Sequence, residues 1–374
     1  MKQNGIRNVD VAVLGGGPAG VAIALELLNR GYSTVVIERS DYRGARIGET
    51  LPPAIQPLLV RLGIWDRFLA GKHAPSFSIR AAWGGDDLHE NDLIFNPYGA
   101  GWHVDRTRFD AMLARCAEDA GATVYLDASP VTCENGTSGN WKIKITHGDQ
   151  RRSLSTRFLV DATGRAAFAA RKQGARRLTL DHLIGVVYFS SQKSALDSST
   201  LIEATENGWW YSAALPDSRL VLAYMTDADL YARERKRSSN YFLRQLESTK
   251  HSRSRVGSKD FIGDFRIVAA NSSRLNFVAG RNWLAVGDAA MAFDPLSGQG
   301  VYKALEFGLL ASRSIQQHLA GDTSALQDYS SAVEKDFNSY LLTRKQFYAR
   351  ETRFPDSLFW QRRQLDQTSV RHAQ

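Results

Sequence analysis

Six residues near the start of the chain, Gly15-Gly16-Gly17-Pro18-Ala19-Gly20, place glycines at the first, third and sixth positions of a short run. That spacing suits the holding of a dinucleotide diphosphate against the start of a helix. Gly15 permits a tight turn and Gly17 removes a side chain where a pyrophosphate would approach. Gly20 lets the helix pack closely on a sheet, with Pro18 and Ala19 leading into it. The free N–H groups of the helix start would face the phosphates. Glu38 closes the next β-branched run, and Arg39 adjoins it. A carboxylate there can accept both ribose hydroxyls and would repel a 2′-phosphate, so an unphosphorylated adenosine is expected. The motif does not by itself separate FAD from NAD. A second constellation lies far down the chain: Trp283-Leu284-Ala285-Val286-Gly287-Asp288, an apolar run ending in Gly-Asp, followed by Asp294-Pro295-Leu296-Ser297-Gly298-Gln299-Gly300-Val301.

The elements around these residues read as a βαβ unit. Asp10 to Leu14 is a short buried strand, Ala19 to Arg30 has apolar residues at helical spacing, and Thr34 to Ile37 is strand-like. A helix over Arg108 to Ala120 and strands at Ala122 to Tyr125, Trp141 to Ile145 and Phe158 to Val160 follow. Residues 183–225 hold several aromatic-rich strands, and 229–250 reads as a charged helix. Asn282 to Val286 returns to a buried strand and Gly300 to Leu319 to a long helix. The tail, 324–374, is mostly polar and helical, with Phe354, Phe359 and Trp360 as isolated apolar anchors. The pattern predicts an α/β (α+β mixed) chain. A Rossmann-type nucleotide-binding domain (1–75, 103–177 and 266–322) is interrupted by a mostly antiparallel second domain (76–102 and 178–265), and a helical C-terminal region (323–374) follows.

Composition narrows the classes. With 374 residues, 43% apolar and 23% charged, the chain reads as globular rather than disordered. No uncharged apolar run approaches the roughly 18 residues of a membrane span. The short polar start leaves no room for a signal peptide, so the cytoplasm is the expected compartment. Cys116 and Cys133 are too few for a disulfide framework or a cysteine-rich metal site, and no metal is expected. Net charge is +8, and residues 231–260 carry nine basic side chains against three acidic ones. Arg165, Arg171, Lys172, Arg176 and Arg177 form a second basic run. These are either solvated faces or docking surfaces for an acidic partner or anionic coenzyme. No zinc-finger, basic-zipper or ribonucleoprotein motif accompanies them, so no nucleic acid partner is expected.

The order of the two constellations resembles that of glutathione-reductase-type flavoproteins in the p-hydroxybenzoate hydroxylase and tryptophan halogenase superfamily. The resemblance implies FAD, with Asp288 on the ribityl chain and the Pro295 to Gly300 loop, including Gly298 and Gln299, along the isoalloxazine ring. The helix start at Gly300 and Val301 would then stabilise negative charge on the reduced ring. Val160-Asp161-Ala162-Thr163-Gly164-Arg165 resembles the segment that crosses near the flavin pyrophosphate in these families. The run Arg43 to Pro53, with Arg46 and Glu49, resembles the segment beside the cofactor. Arg106 matches an arginine that contacts the cofactor in relatives, and Val131 falls where a backbone group meets the adenine.

Halogenases of this superfamily place a lysine and a glutamate beside the substrate. Here Ser297 stands at the glutamate position, and Ala74 to Arg80 has no lysine, which argues against halogenation. Monooxygenation is the expected chemistry. Without a second G-x-G-x-x-G, NAD(P)H or another reductant would dock transiently. Tyr302 departs from the asparagine that many hydroxylases carry near the flavin. Gly208 to Pro216 resembles the tryptophan-rich strand near the substrate pocket of halogenase-like proteins, so Trp209, Trp210, Tyr211 and Tyr188 are expected to line such a pocket. His103 and Tyr211 are the candidates for acid–base chemistry; no catalytic residue is assigned. Within the superfamily, Ile47 to Pro53, the Gly208 to Ser212 strand and the Ser-Gly-Gln-Gly loop look most like the flavoprotein maturases of quinoprotein amino-acid oxidases, of the lysine ε-oxidase and glycine oxidase type. That resemblance implies an FAD-dependent monooxygenase acting on a tryptophan of a partner oxidase precursor, on the way to cysteine tryptophylquinone. A small-molecule aromatic hydroxylase, a non-catalytic flavin-binding assembly factor and a reductase of isoprenoid chains remain the alternatives.

Overall fold

Val11, Ala12, Val13 and Leu14 have no exposed surface, because their strand, Arg7–Leu14, has paired neighbours on both sides. It runs parallel to Gln150–Asp161 on one side and to Thr34–Ile37 on the other. Thr123–Tyr125 and Trp283–Ala285 extend the parallel sheet outward in the two directions. Strands buried on both faces are continuously apolar, which is why these runs lack alternation. An antiparallel extension, Trp141–His147 with Ala128–Asn135, and the short strand Ala279–Gly280 complete eight strands. The computed structural model describes residues 7–44, 46–136, 139–191, 197–237, 240–256 and 265–364.

The chain divides into two units, 1–73 with 104–180 and 272–337, and 74–103 with 181–271 and 338–374. The helical region that the sequence sets apart at 323–374 is thus shared between them. In the first unit, helix Pro18–Leu28 packs against helix Gly300–Leu319 at backbone distance. A Cβ added at Gly308 would lie 2.7 Å from the Ala22 Cβ and 3.0 Å from the Ala19 carbonyl oxygen.

The second unit carries a seven-stranded sheet in the order Arg266–Ala269, Leu183–Ser191, Arg219–Asp227, Gly208–Ala214, Thr200–Thr205, Ser78–Ala82, His89–Asp92. Every pairing but one is antiparallel, the exception being Thr200–Thr205 with Ser78–Ala82. Successive side chains of a strand face opposite ways, and Gly208–Ala214 buries both sides. Trp210 joins Tyr188, Tyr224, Tyr241 and Phe242 in a core beneath helices Ala228–Arg237 and Tyr241–Glu247. The Trp209 Nε1–H donates to the Tyr348 hydroxyl at 3.1 Å. Trp83 stands edge-on to Trp209, Tyr348 and Trp360. Phe359 and Trp360 are therefore core residues of helix Leu358–Gln364, not isolated anchors. The helical readings of 229–250 and 324–374 include residues 238–239 and 365–374, which lie outside the described residues.

The architecture is a Rossmann-type α/β domain with an inserted, mostly antiparallel sheet and C-terminal helices. Among the described residues no helix is long and apolar enough to cross a membrane.

Candidate functional site

Three turns separated in sequence meet at the carboxyl ends of the central parallel strands, where ligands of open α/β sheets bind. Gly15, at φ +106°, closes the first; a Cβ there would lie 2.2 Å from the Ala162 carbonyl oxygen of the Asp161 to Arg165 turn. Only glycine tolerates that approach. Gly287 begins the third turn, and its added Cβ would sit 2.9 Å from the Ala19 Cβ and 3.7 Å from the Ala304 Cβ. The Gly-Asp turn is thus wedged between the starts of helices Pro18–Leu28 and Gly300–Leu319. Arg177 fixes it from behind: Nη2 donates to the carbonyls of Asp288 at 3.1 Å and Ala289 at 3.0 Å, and Nη1 to the Ser273 hydroxyl at 3.1 Å. Arg165 Nε lies 3.7 Å from the half-exposed Asp288 carboxylate.

The two helix starts suit an anion and a flat ring. Neither Gly17 nor Gln299, the N-cap positions, supplies a side-chain capping bond. An added Cβ at Gly17, Gly298 or Gly300 would meet nothing within 4 Å. Pro295, Gly298, Gln299 and Gly300 are exposed, while Val301 turns inward. Ser297 is tied down by its own turn, its Oγ donating to the Asp294 carbonyl at 2.8 Å. Open backbone, uncapped N–H groups and the Asp288 carboxylate are what a diphosphate, a ribityl chain and an isoalloxazine ring require, so the residues present fit FAD.

Glu38 is less free than the sequence suggests. Its Oε2 accepts the Gly16 N–H at 2.8 Å; its Oε1 accepts the Ser40 N–H at 3.1 Å, the Ser40 hydroxyl at 2.5 Å and Arg46 Nη2 at 3.0 Å. Three of these four donors converge on Oε1 and one meets Oε2. Oε2 therefore keeps a lone-pair site that a ribose hydroxyl could use, while Oε1 is taken up by Ser40 and Arg46. Arg46 also reaches the buried Asp110 at 2.7 Å. Arg106 grips Asp110 through Nε and Nη2, both at 3.0 Å, and donates from Nη1 to the Ile47 carbonyl at 2.8 Å. Its donors hold the 46–49 segment in place rather than facing open space.

Tyr42, absent from the sequence reading, covers this corner. It has φ +62°, is buried, and donates its hydroxyl to the Gly16 carbonyl at 2.7 Å. Asp110 was equally unforeseen, although Arg106 and Asp110 form an i,i+4 pair that the sequence displays. Glu49 is buried, with Oε2 accepting the Gly48 N–H at 2.7 Å. Gly164, at φ +64°, starts a short 3-10 turn. Val131 is exposed and its carbonyl accepts Lys172 Nζ at 2.9 Å. Arg39 is exposed. Ala45, within the Arg43 to Pro53 run, lies outside the described residues.

The aromatic candidates are corrected. Trp209 and Trp210 have no exposed surface and Tyr188 has 1%, so they fill the core of the second unit and wall no open pocket. Tyr211 alone keeps partial exposure. His103 is fully buried, its Nε2 2.9 Å from the Thr200 hydroxyl. Burial, reinforced by the Arg255 charge, pushes its pKa down to about 4. It is a neutral imidazole in the folded chain. Between pH 6.5 and about 4 the unfolded chain takes up a proton that the folded one refuses, so stability falls as pH falls through that window. A His103→Gln variant is expected to lose about 3 kcal/mol less than the wild type over that range, from the difference in the two pKa values. Urea midpoints measured across the range check this, and parallel profiles would contradict it.

A family model for the FAD binding domain matches residues 8–335. LodB of Marinomonas mediterranea, by name an FAD-dependent oxidoreductase, is 29% identical over 373 residues, covering 98% of this chain and 100% of LodB. The flavin-dependent halogenase CmlS superposes with a TM-score of 0.87 at 23% identity, over 98% of this chain and 69% of CmlS, a likeness of fold. The peptidyl tryptophan dihydroxylase QhpG, essential for tryptophylquinone cofactor biogenesis, superposes with a TM-score of 0.73 at 25% identity, over 96% of this chain and 79% of QhpG.

Proposed function

Because the chain belongs to the FAD-binding domain family, whose model spans residues 8–335, we propose that this FAD-dependent oxidoreductase is a monooxygenase that oxygenates a tryptophan side chain within a partner protein. The observation that carries the reading is Ser297. By the motif resemblance it stands where halogenase-like proteins place a glutamate, and its hydroxyl donates to the Asp294 carbonyl at 2.8 Å. The segment Ala74 to Arg80 offers no lysine to complete the halogenating pair. The likeness to QhpG supports a peptidyl tryptophan as the substrate, and the match with LodB supports an oxidoreductase. The partner in this reading is the precursor of a quinoprotein amino-acid oxidase, on its way to cysteine tryptophylquinone.

The chain's own groups have separable tasks. The uncapped first turn of Pro18–Leu28 would hold the diphosphate by backbone N–H groups. Glu38 would take the adenosine ribose through the lone-pair site that Oε2 keeps beside the Gly16 N–H. Asp288, its backbone pinned by Arg177, would meet the ribityl hydroxyls. The N–H groups of Gly300 and Val301 would stabilise negative charge at the edge of the ring. FAD, when bound, supplies the two-electron activation of O₂: NAD(P)H or another donor provides the electrons, one oxygen atom enters the indole and the other leaves as water.

Incubating the chain with FAD, a reductant, air and the quinone-free oxidase precursor tests the reading. The tryptophan-bearing peptide is expected to gain the mass of one or two oxygen atoms, and only when the reductant is present. An unchanged precursor alongside rapid oxygenation of a free phenol or indole would favour the small-molecule hydroxylase instead.

A further inference from the structure

The turns at the carboxyl ends of the central strands carry more positive charge than the fold itself neutralises. Arg177 begins the short strand Arg177–Thr179, which pairs antiparallel with Ser273–Leu275. That strand pairs in turn with Met291–Ala292, one residue past the Gly287–Ala289 turn. This small sheet carries the guanidinium to the back of the Gly-Asp turn, where it donates to the Asp288 and Ala289 carbonyls and to the Ser273 hydroxyl. Its Nε–H is buried and has no hydrogen-bond partner. Arg46, Arg106 and Arg363 each meet a buried carboxylate at 3.0 Å or less. The hydrogen-bond partners of Arg177 among the described residues are all neutral.

The charges around it do not balance. Asp288 and Asp161 attract Arg177, while Arg165 and Arg171 oppose it, which sets three cations against two carboxylates. Asp161 is buried and its oxygens already accept the Thr163 N–H and hydroxyl and the Ala170 N–H. Asp288 is half exposed and shares its charge with Arg165. Burial, with the Arg165 charge, holds the Arg177 guanidinium below its usual range. Two carbonyls and a hydroxyl could be held by a neutral amide, so a cation there costs more than pinning the turn requires. An anion at the same turns offsets that cost. Gly287 packs against Ala19 in the first turn of Pro18–Leu28, whose N-cap supplies no capping bond. The surplus charge therefore stands behind the ground that fits the diphosphate, which is negative in both oxidation states of the flavin.

We propose that Arg177 is an electrostatic anchor for the diphosphate of FAD, its charge acting through the Asp288 turn on the phosphates as well as holding the turn in shape. It touches the turn rather than the cofactor and is a positioning residue. The inference rests on the fit of these turns to FAD and is independent of the substrate. The test measures binding of FAD, and of ADP, which carries the diphosphate without the flavin ring, to the apoprotein of wild type, Arg177→Gln and Arg177→Lys. Gln retains two amide donors and drops the charge, whereas Lys keeps the charge. Arg177→Gln is expected to weaken ADP and FAD alike by about tenfold. Arg177→Lys is expected to recover most of that loss, and the flavin midpoint potential is expected to stay at the wild-type value in both variants. Arg165→Gln, which removes one cation near the surface of the same turns, leaves the small sheet intact and is expected to weaken ADP about threefold; no loss there would overturn the surplus charge even if Arg177→Gln fails to fold. Unchanged ADP affinity in a folded Arg177→Gln would overturn the proposal, and a loss for FAD alone would make Arg177 a prop for the turn. Equal losses in Arg177→Gln and Arg177→Lys would assign the effect to shape and overturn it too. A lowered potential with unchanged ADP binding would give the charge to the reduced ring instead. Wild type that binds ADP but not FAD would end the flavin reading and leave the role of the charge standing, whereas wild type that binds no ADP would overturn the anchor itself.

Discussion

Gly17→Asp is expected to abolish useful FAD binding while leaving the apoprotein as stable as the wild type or slightly more so. Gly17 is the N-cap of helix Pro18–Leu28, at φ −76° and ψ −179°, a conformation open to any residue. Its added Cβ meets nothing within 4 Å. An aspartate there would accept the free N–H groups of the first turn, as N-cap aspartates do, for a gain of a few tenths of a kcal/mol over glycine. The same donors would then be lost to the diphosphate, and a carboxylate would stand where the phosphates belong. A loss of affinity on the order of 100-fold or more follows, about 2.7 kcal/mol. Titration of flavin fluorescence reads the affinity, and a thermal melt of the apoprotein reads the fold. Gly15→Ala offers the contrast: at φ +106° and 2.2 Å from the Ala162 oxygen, it is expected to damage both. Wild-type affinity in Gly17→Asp would place the diphosphate elsewhere.

The largest expected effect on stability lies in the second unit. Asp227, at the end of strand Arg219–Asp227, is 1% exposed; its Oδ1 accepts Arg363 Nη2 at 2.7 Å and its Oδ2 accepts Arg362 Nη1 at 2.8 Å. Arg363 is itself buried, its guanidinium 3.6 Å from the centre of the Phe359 ring. Asp227→Ala removes the counter-charge and leaves a buried cation, which typically costs about 3–5 kcal/mol. For a unit of this size that lowers the melting midpoint by roughly 10 °C. Adding Arg363→Met is expected to restore much of the loss, because the pair as a whole contributes little once both charges are gone. A loss below about 1 kcal/mol in Asp227→Ala would mean that the pair does not anchor helix Leu358–Gln364.

The nucleotide-binding elements were legible because their signals are local. Gly300–Leu319 follows the apolar spacing residue for residue, and Pro18–Leu28 and Arg106–Asp119 end within two residues of the sequence-derived limits. The strand Gln150–Asp161 was read only at Phe158 to Val160 because its first half is polar, with Arg151, Arg152, Ser153 and Ser155 facing the antiparallel extension. Ala128–Asn135 was hidden by Pro130, which sits where the register with Trp141–His147 shifts. The Trp209-Trp210 pair misled for a geometric reason: adjacent strand residues face opposite sides, and here both sides are covered. Sequence shows the aromatic content of a strand but not what packs over it. The corner formed by Glu38, Tyr42, Arg46 and Asp110 was illegible for a different reason. Its bonds join residues up to 64 positions apart, and no spacing rule reports them.

Likeness of fold to a halogenase and likeness to a tryptophan dihydroxylase meet in one chain. The deciding measurement is a mass spectrum of the partner tryptophan after reaction in ¹⁸O₂ with FAD, reductant, and both chloride and bromide present. The expected spectrum shows the mass of one or more ¹⁸O atoms and no halogen isotope pattern. A chlorine or bromine doublet on that residue, or oxygen drawn from water alone, would contradict oxygenation of a protein tryptophan by this flavoprotein.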